Sequence, residues 1–346
     1  MMDCGARVRG HRTNRSVRGV RPRRAPRAML GSTARSRMRG VVVEARAKLN
    51  LFLAVGPRCA DGYHQLVTLF QSISLSDTLM IESRPHGFSL VVRSDEGAVQ
   101  GGKPDAGEPR PPRGGGNLVL RAARLLSRRC GLEGGARFTL IKRIPLGAGL
   151  GGGSADAAAA IAGLSGLYGI KLGTPERLAL ALELGSDVPF ALLGGTALGA
   201  GRGERLKPLR LARPFQGLIA VPRWRISTAL AYEKMDRRKY FLTLWRAKLR
   251  SAQVLGRKRL RAEVWLNLGN SFEEVLGRRR SDFLSLCERF REAGVNDVRM
   301  TGSGSAVFGV LEPGVSAERV AGRFNGSESL YIVRSTRSGL GLKPLL

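Results

Sequence analysis

Five of the seven positions from Gly147 to Gly153 are glycine, within the segment PLGAGLGGGSAD that runs from Pro145 to Asp156. An apolar-patterned stretch, Arg137 to Ile144, precedes it, and the alanine run Ala157 to Ala160 follows. Glycine turns without a Cβ penalty and lets bare backbone N–H groups come close to a bulky anion. A helix that begins directly afterwards adds the positive end of its dipole. The segment therefore predicts a strand, a phosphate-wrapping loop and a helix. A plain flexible connection seldom concentrates glycine this densely and then runs into strong helix formers.

Two familiar phosphate loops do not fit. Gly147, Gly149 and Gly152 match G-x-G-x-x-G, but a dinucleotide site needs an acidic residue at the end of the next strand about 20 residues on. That distance falls in GIKLGTPERL, where no such strand is visible. No GK[ST] follows the glycines, which excludes a Walker A loop. What remains is a phosphate cradle of another type, with Ser154 at the helix start either capping the helix or approaching a phosphate-bound Mg²⁺.

Composition narrows the function class. The chain has 346 residues and 43% hydrophobic content, enough for a substantial core and, by length, about two domains. No run of about 18 apolar residues is free of charge or dense Gly/Ala interruption, so no membrane partner is expected. Cys4, Cys59, Cys130 and Cys287 form no CxxC pair, and His11, His64 and His86 are dispersed. That pattern argues against a zinc site and a disulfide scaffold and suits a reducing, cytoplasmic setting. The net charge of +31 is uneven: residues 1–40 hold twelve arginines against one acid, Asp3. This segment reads as a disordered basic tail or a transit-like peptide, the latter implying a plastid. A reading frame starting at Met38 is the third alternative. Only ten of the 58 basic residues are lysine, an arginine bias that resembles codon composition more than a binding stripe. The run from Arg237 to Arg261, with Arg257, Lys258, Arg259 and Arg261, reads as a solvated helix face. With 6% aromatic content and no interleaving of basic and aromatic residues, a nucleic-acid partner is not expected.

Along the chain, Val41, Val43, Ala45, Ala47, Leu49, Leu51, Leu53 and Val55 alternate onto one face of a half-buried strand. Glu44, Arg46, Lys48 and Asn50 fall on the opposite face, away from the core. ADGYH, Ala60 to His64, reads as a turn, and Leu79 and Ile81 mark a further strand. Residues 95–116 read as a long loop or insertion. A helix is expected over Asn117 to Arg129 and another over TPERLALALEL, with Thr174 as N-cap and Gly185 past its end. Val188 to Ala200 reads as a return to the sheet. A boundary is placed near Leu218, giving a tail over 1–40, a first domain over 41–215 and a second over 216–346. The second is expected to hold helices at Thr228–Glu233, Ala262–Leu276 and Ser281–Ala293 and strands at Ala306–Leu311 and Leu330–Arg334. Clustered rather than strictly alternating elements favour an α+β fold.

Lys48 and Asp187, in GSDVPF, gain meaning together. Phosphoryl transfer needs a carboxylate to take or orient the attacking hydroxyl's proton, and positive charge to steady that carboxylate and neutralise developing negative charge. A second tight glycine turn, MTGSGSAVFGV from Met300 to Val310, leads into a strand.

AKLNLFL (Ala47 to Leu53), ADGYH with TLFQSISLSDTL, PLGAGLGGGSADAA, GSDVPF and TGSGSAVF, in this order, resemble the GHMP kinase superfamily. They are most similar to the branch that phosphorylates 4-diphosphocytidyl-2-C-methyl-D-erythritol in non-mevalonate isoprenoid biosynthesis. The resemblance spans residues 41–311. It implies a ribosomal protein S5 domain 2-like N-terminal domain, a ferredoxin-like C-terminal domain, and ATP-dependent phosphorylation of the substrate's 2-hydroxyl. By position, Asp187 is the implied base and Lys48 its charged neighbour, with Asn50, Tyr63, His64 and Tyr232 on the substrate. The ATP phosphates fall to Pro145, Leu146, Gly147, Ala148, Gly149, Leu150, Gly151, Gly152, Gly153, Ser154 and Ala155. Mg²⁺ would bridge the phosphates, with no side-chain ligand expected except Ser154. A monomer or a homodimer is implied. Departures from the pattern are the tail, the 95–116 insertion, Arg46 where proline is common, and Ser271 in NSFEEVL beside the family-like Asn270 and Glu273. A homoserine or mevalonate type of GHMP kinase is the nearest alternative, and DGYH argues against it. A basic nucleic-acid-binding module is the alternative of another class.

Overall fold

The alternation that begins at Val41 forms strand β1, Gly40–Arg58, and the ADGYH turn returns the chain as β2, His64–Arg84, antiparallel to it. The computed structural model describes residues 39–95, 114–237, 241–255 and 261–345. The expectations for the basic tail, most of the 95–116 segment and Arg257 to Arg259 lie outside those residues.

Among the described residues, the first sheet has seven strands. β2 is long enough to serve three neighbours: β1 along one edge, and on the other β4 (Gly135–Lys142) and β5 (Thr196–Gly201) in succession. β3 (Phe88–Ser94) lies parallel to β4, and β6 (Arg205–Leu209) closes the other end against β5. Helices α1 (Leu118–Cys130), α2 (Gly152–Tyr168), α3 (Thr174–Leu184) and α4 (Val188–Leu193) form the layer against this sheet. Asn117 caps α1 by accepting from the Val119 N–H, as its residue type predicts. The middle of α2 is alanine-rich and buried, with Ala157 to Ala160, Ile161 and Leu164 at zero exposure. It lies tight on the sheet: a Cβ on Gly163 would stand 2.3 Å from Ile81 Cδ1.

Among the described residues, a second sheet of four antiparallel strands follows the order β10 (Ser329–Arg334), β7 (Gln216–Val221), β9 (Val307–Val310), β8 (Asp297–Met300). α5 (Thr228–Asp236), α8 (Arg280–Glu292) and α9 (Ala317–Arg323) share its core, which centres on Phe290, Leu286, Met300 and Val307. The last strand, β11 (Leu340–Pro344), returns to the first sheet and pairs with β1.

Four expectations are corrected. The single-face reading of β1 fails beyond Asn50, because the pairing with β2 slips between Asn50 and Phe52. The extra residue rotates the strand, so Phe52 and Ala54 enter the first core while Leu53 and Val55 enter the second. Val188 to Ala200 forms α4 before reaching β5. The helix expected over Ala262–Leu276 stops at α7, Ala262–Leu266, because Gly269 takes φ +69° and Asn270 starts a separate 3₁₀ turn over Ser271–Val275. Gly173, not Thr174, is the N-cap of α3, where the Glu176 carboxylate accepts from the Gly173 N–H at 3.1 Å. The helical reading of the Arg237–Arg261 run corresponds to α6, Phe241–Leu255.

Candidate active site

β1 carries Lys48 and Asn50 on the face expected to be exposed, yet they are 8% and 3% exposed. Two glycine loops cover them. The first, Leu146 to Gly151, docks through its carbonyls: Leu150 accepts from the Lys48 N–H at 3.0 Å and Ala148 from the Ala306 N–H at 3.1 Å. The second, Thr301 to Gly304, is held by Asn50, whose Oδ1 accepts from the Gly302 N–H at 3.0 Å and whose N–H donates to Thr301 Oγ1 at 3.0 Å. Gly149 and Gly151 adopt φ of +82° and +74°. A Cβ on Gly149 would stand 2.3 Å from the Thr301 carbonyl oxygen, so the loops meet at a distance that only glycine permits.

The carbonyls of this first loop face the protein, and Gly151 ends it as the N-cap of α2. The N–H groups of Gly152, Gly153 and Ser154 then form the open first turn of a helix, the donors that a phosphate takes. Ser154 is the third helical residue and makes no capping bond, which corrects its reading as a cap.

Lys48 lies at the centre. Its Nζ donates to Asn50 Oδ1 at 2.6 Å, stands 3.8 Å from Asp187 Oδ2 and lies 5.7 Å from the Phe70 ring centroid. Burial lowers its pKa below the ordinary 10.5, and the Asp187 charge and hydrogen bonding restore only part of the difference. Asp187 precedes α4 but makes no capping bond, and its carboxylate is 35% exposed. It can therefore face both Lys48 and a bound hydroxyl. The Asn50 amide also donates to Thr68 Oγ1 at 2.7 Å, so both ends of that side chain are engaged by the protein.

A second buried charge group supports the loop from below. Lys142, at the end of β4, donates to Asp156 at 2.8 Å and also to Asp77, and Asp77 accepts from the N–H groups of Arg143 and Ile144. Burial pushes Asp156 up to about 8; the Lys142 charge opposes this and Asp77 adds to it. Burial acts to lower Lys142, but the two carboxylates outweigh it and raise the net value above 10.5. The sequence pattern does not reveal this triad. The one signal for it was a lone acid, Asp156, inside an alanine-rich helix.

The remaining residues gather where the β1–β2 turn meets α5. Tyr63 is 54% exposed, and the Arg202 guanidinium lies over its ring at 3.8 Å while pairing with Asp61 at 2.6 Å. His64 is buried; its ring stacks on Tyr232 at 4.8 Å and its Nε2 lies 2.8 Å from Asp236 Oδ1. Tyr232 therefore lies on His64 and meets Phe272 edge-on at 5.0 Å. Burial, with a contribution from the Asp187 charge, pushes Tyr232 up to about 12. Asn270 anchors the far side of the site by donating to the carbonyls of Met300 and Gly302, both at 2.8 Å. The Glu273 carboxylate accepts from the Met300 N–H. Among the described residues, no group of three or more His, Cys, Asp or Glu side chains could hold a metal ion. No helix among them is long and apolar enough to cross a membrane.

A sheet-backed glycine loop opening a helix, beside a buried lysine and a carboxylate, defines a small-molecule kinase site. The sequence matches the family descriptions GHMP kinases N terminal domain over residues 117–195 and GHMP kinases C terminal over 258–327. The 4-diphosphocytidyl-2-C-methyl-D-erythritol kinase of Moorella thermoacetica is 38% identical over 297 residues, covering 86% of this chain and 99% of the relative. That of Pelotomaculum thermopropionicum is 39% identical, covering 84% and 96%. A crystal structure of 4-(cytidine 5'-diphospho)-2C-methyl-D-erythritol kinase superposes with a TM-score of 0.66 at 35% identity, over 85% of this chain and 98% of that one. The homoserine kinase of Cytophaga hutchinsonii shares the fold, with TM-score 0.66 at 17% identity over 89% and 99%. The chain belongs to the 4-diphosphocytidyl-2-C-methyl-D-erythritol kinase family of the GHMP kinases.

Proposed function

We infer that this chain transfers the γ-phosphoryl group of ATP to the 2-hydroxyl of 4-diphosphocytidyl-2-C-methyl-D-erythritol. The observation that carries the reading is the Lys48–Asp187 pair, 3.8 Å apart and directly beside the glycine loop. In this reading Asp187 accepts the hydroxyl proton as the oxygen–phosphorus bond forms and the bond to the β-phosphate oxygen breaks. Lys48, kept in place by Asn50, offsets the negative charge that develops. Asn50 thus acts mainly through Lys48 and the Thr301–Gly302 loop at the edge of the substrate. The first turn of α2 and the Pro145–Ala155 loop hold the triphosphate, and Ser154 would offer its hydroxyl oxygen to a phosphate-bound Mg²⁺. When bound, that ion supplies charge neutralisation between phosphates.

Tyr63 and His64 receive the cytosine, with Tyr232 supporting the imidazole. The division proposed at residues 215 and 216 leaves Lys48, Asp187 and the first glycine loop on one side. Tyr232 and the second glycine loop then lie on the other, so the site needs both.

Asp187→Asn tests the reading. Turnover is expected to fall by about 10²- to 10⁴-fold, the usual worth of a general base, while ATP binding measured by calorimetry persists. Turnover retained within a few fold would remove Asp187 from the role.

A further inference from the structure

His64 is gripped from one helix. Tyr232 and Asp236 are four residues apart on α5 and so share a face. The Tyr232 ring lies on the imidazole at 4.8 Å with a 25° interplanar angle, and the Asp236 carboxylate meets Nε2 at 2.8 Å. Stacking fixes the plane of the ring, and the carboxylate fixes its rotation within that plane. Phe272, edge-on behind Tyr232, backs the arrangement.

An ionised carboxylate only accepts hydrogen bonds, so the nitrogen facing it carries the hydrogen. In the neutral tautomer that gives Nε2–H to Asp236, Nδ1 is the acceptor of the ring. Nδ1 has no hydrogen-bond partner among the described residues. An acceptor held in one place discriminates between pyrimidines. Cytosine offers an exocyclic amino donor at C4, whereas uracil offers a carbonyl acceptor at the same position. The amino group is paired, and the carbonyl meets a like lone pair.

We propose that Asp236 is a positioning residue for base choice: it orients His64 so that Nδ1 accepts from a cytosine amino group and rejects uracil. The proposal rests on the reading of Tyr63 and His64 as the base-binding turn. The carboxylate is remote in sequence and acts through the imidazole, so removing it should affect selection of the base more than the phosphoryl transfer step.

The test uses CDP and UDP as competitive inhibitors of the full chain. The wild-type protein should prefer CDP by about tenfold or more, the worth of a hydrogen bond that one ligand makes and the other cannot. In Asp236→Ala the CDP inhibition constant and the KM for the cytidylyl substrate should rise about tenfold, a loss of ~1.4 kcal/mol, and the CDP/UDP ratio should move towards one. The KM for ATP should hold, and kcat should change far less than the substrate KM. Asp236→Asn, whose amide oxygen still accepts from Nε2–H, should keep most of the preference. A preserved CDP preference in Asp236→Ala, alongside its loss in His64→Ala, would overturn the role of Asp236 while leaving the base-binding turn intact. Preference preserved in both variants would instead remove the base-binding turn, and the proposal with it. Should Asp236→Ala fail to fold, ¹⁵N spectra of the wild-type chain decide, since it has only three histidines. Spectra taken where the ring is neutral should show His64 protonated at Nε2, and a ring protonated at Nδ1 would overturn the proposal.

Discussion

Lys48 holds its proposed catalytic charge in a buried setting. Burial disfavours its charged form, so it releases its proton below 10.5, the ordinary lysine value. Turnover that depends on this charge should fall on the alkaline side within that lowered window, read as kcat/KM against pH. A profile flat up to pH 10.5 would contradict the need for a charged Lys48. Stability should move the other way. Between the folded and unfolded values the unfolded chain binds more protons than the native one, so this residue's contribution to unfolding free energy rises with pH there. The sequence pairs Lys48 with Asp187, and the two side chains do meet at 3.8 Å, but it sets Lys48 on a face away from the core where the structure buries it. Period-two alternation says which residues share a face, and it cannot say what covers that face. Here Thr301 and Gly302 cover it, some 250 residues away along the chain. The Asp236–His64 contact was illegible for the same reason, because a carboxylate at the end of a helix looks solvated until the partner strand is in place.

The elements that were most legible owe their form to local chemistry. The first glycine loop was readable because its backbone demands glycine, with φ of +66°, +82° and +74° at Gly147, Gly149 and Gly151. Less legible was the reason for each glycine. Gly149 serves contact between the loops, since a side chain there would collide with the Thr301 carbonyl. Gly149→Ala should therefore displace both loops and raise the KM for ATP by about tenfold, equivalent to ~1.4 kcal/mol. An unchanged KM would mean that the loops tolerate separation. The break after α7 was missed because apolar periodicity continues through Trp265, Leu266 and Phe272. Gly269 and the commitment of the Asn270 side chain to the second glycine loop override that periodicity. The bulge at Leu51 was equally hidden, because apolar residues stand on both sides of it and either register satisfies the pattern.

At the scale of the molecule, β1 ties the parts together. It lies between β2 and β11, contributes Leu53 and Val55 to the second core, and carries Lys48 and Asn50. The sequence does not show the return of β11 to the first sheet, because LGLKP is short, mostly exposed and gives little alternation. Its docking is nevertheless close: the Gly339 carbonyl accepts from the Arg46 N–H at 3.0 Å, and a Cβ on Gly194 would stand 1.7 Å from the Gly339 nitrogen. Ending the chain at Ser338 should lower the unfolding free energy in urea by about 3 kcal/mol, the sum of a few backbone hydrogen bonds at their net worth. An unchanged midpoint would show that β11 merely lies on the sheet. Together these parts form one phosphoryl-transfer site for a cytidylyl alcohol in the proposed reading, and ³¹P NMR reads that reaction. With ATP and 4-diphosphocytidyl-2-C-methyl-D-erythritol, the purified chain should convert the γ-phosphate resonance into a phosphomonoester on the substrate, together with ADP. ATP left unchanged, or hydrolysed to inorganic phosphate without an ester, would rule out this phosphoryl transfer.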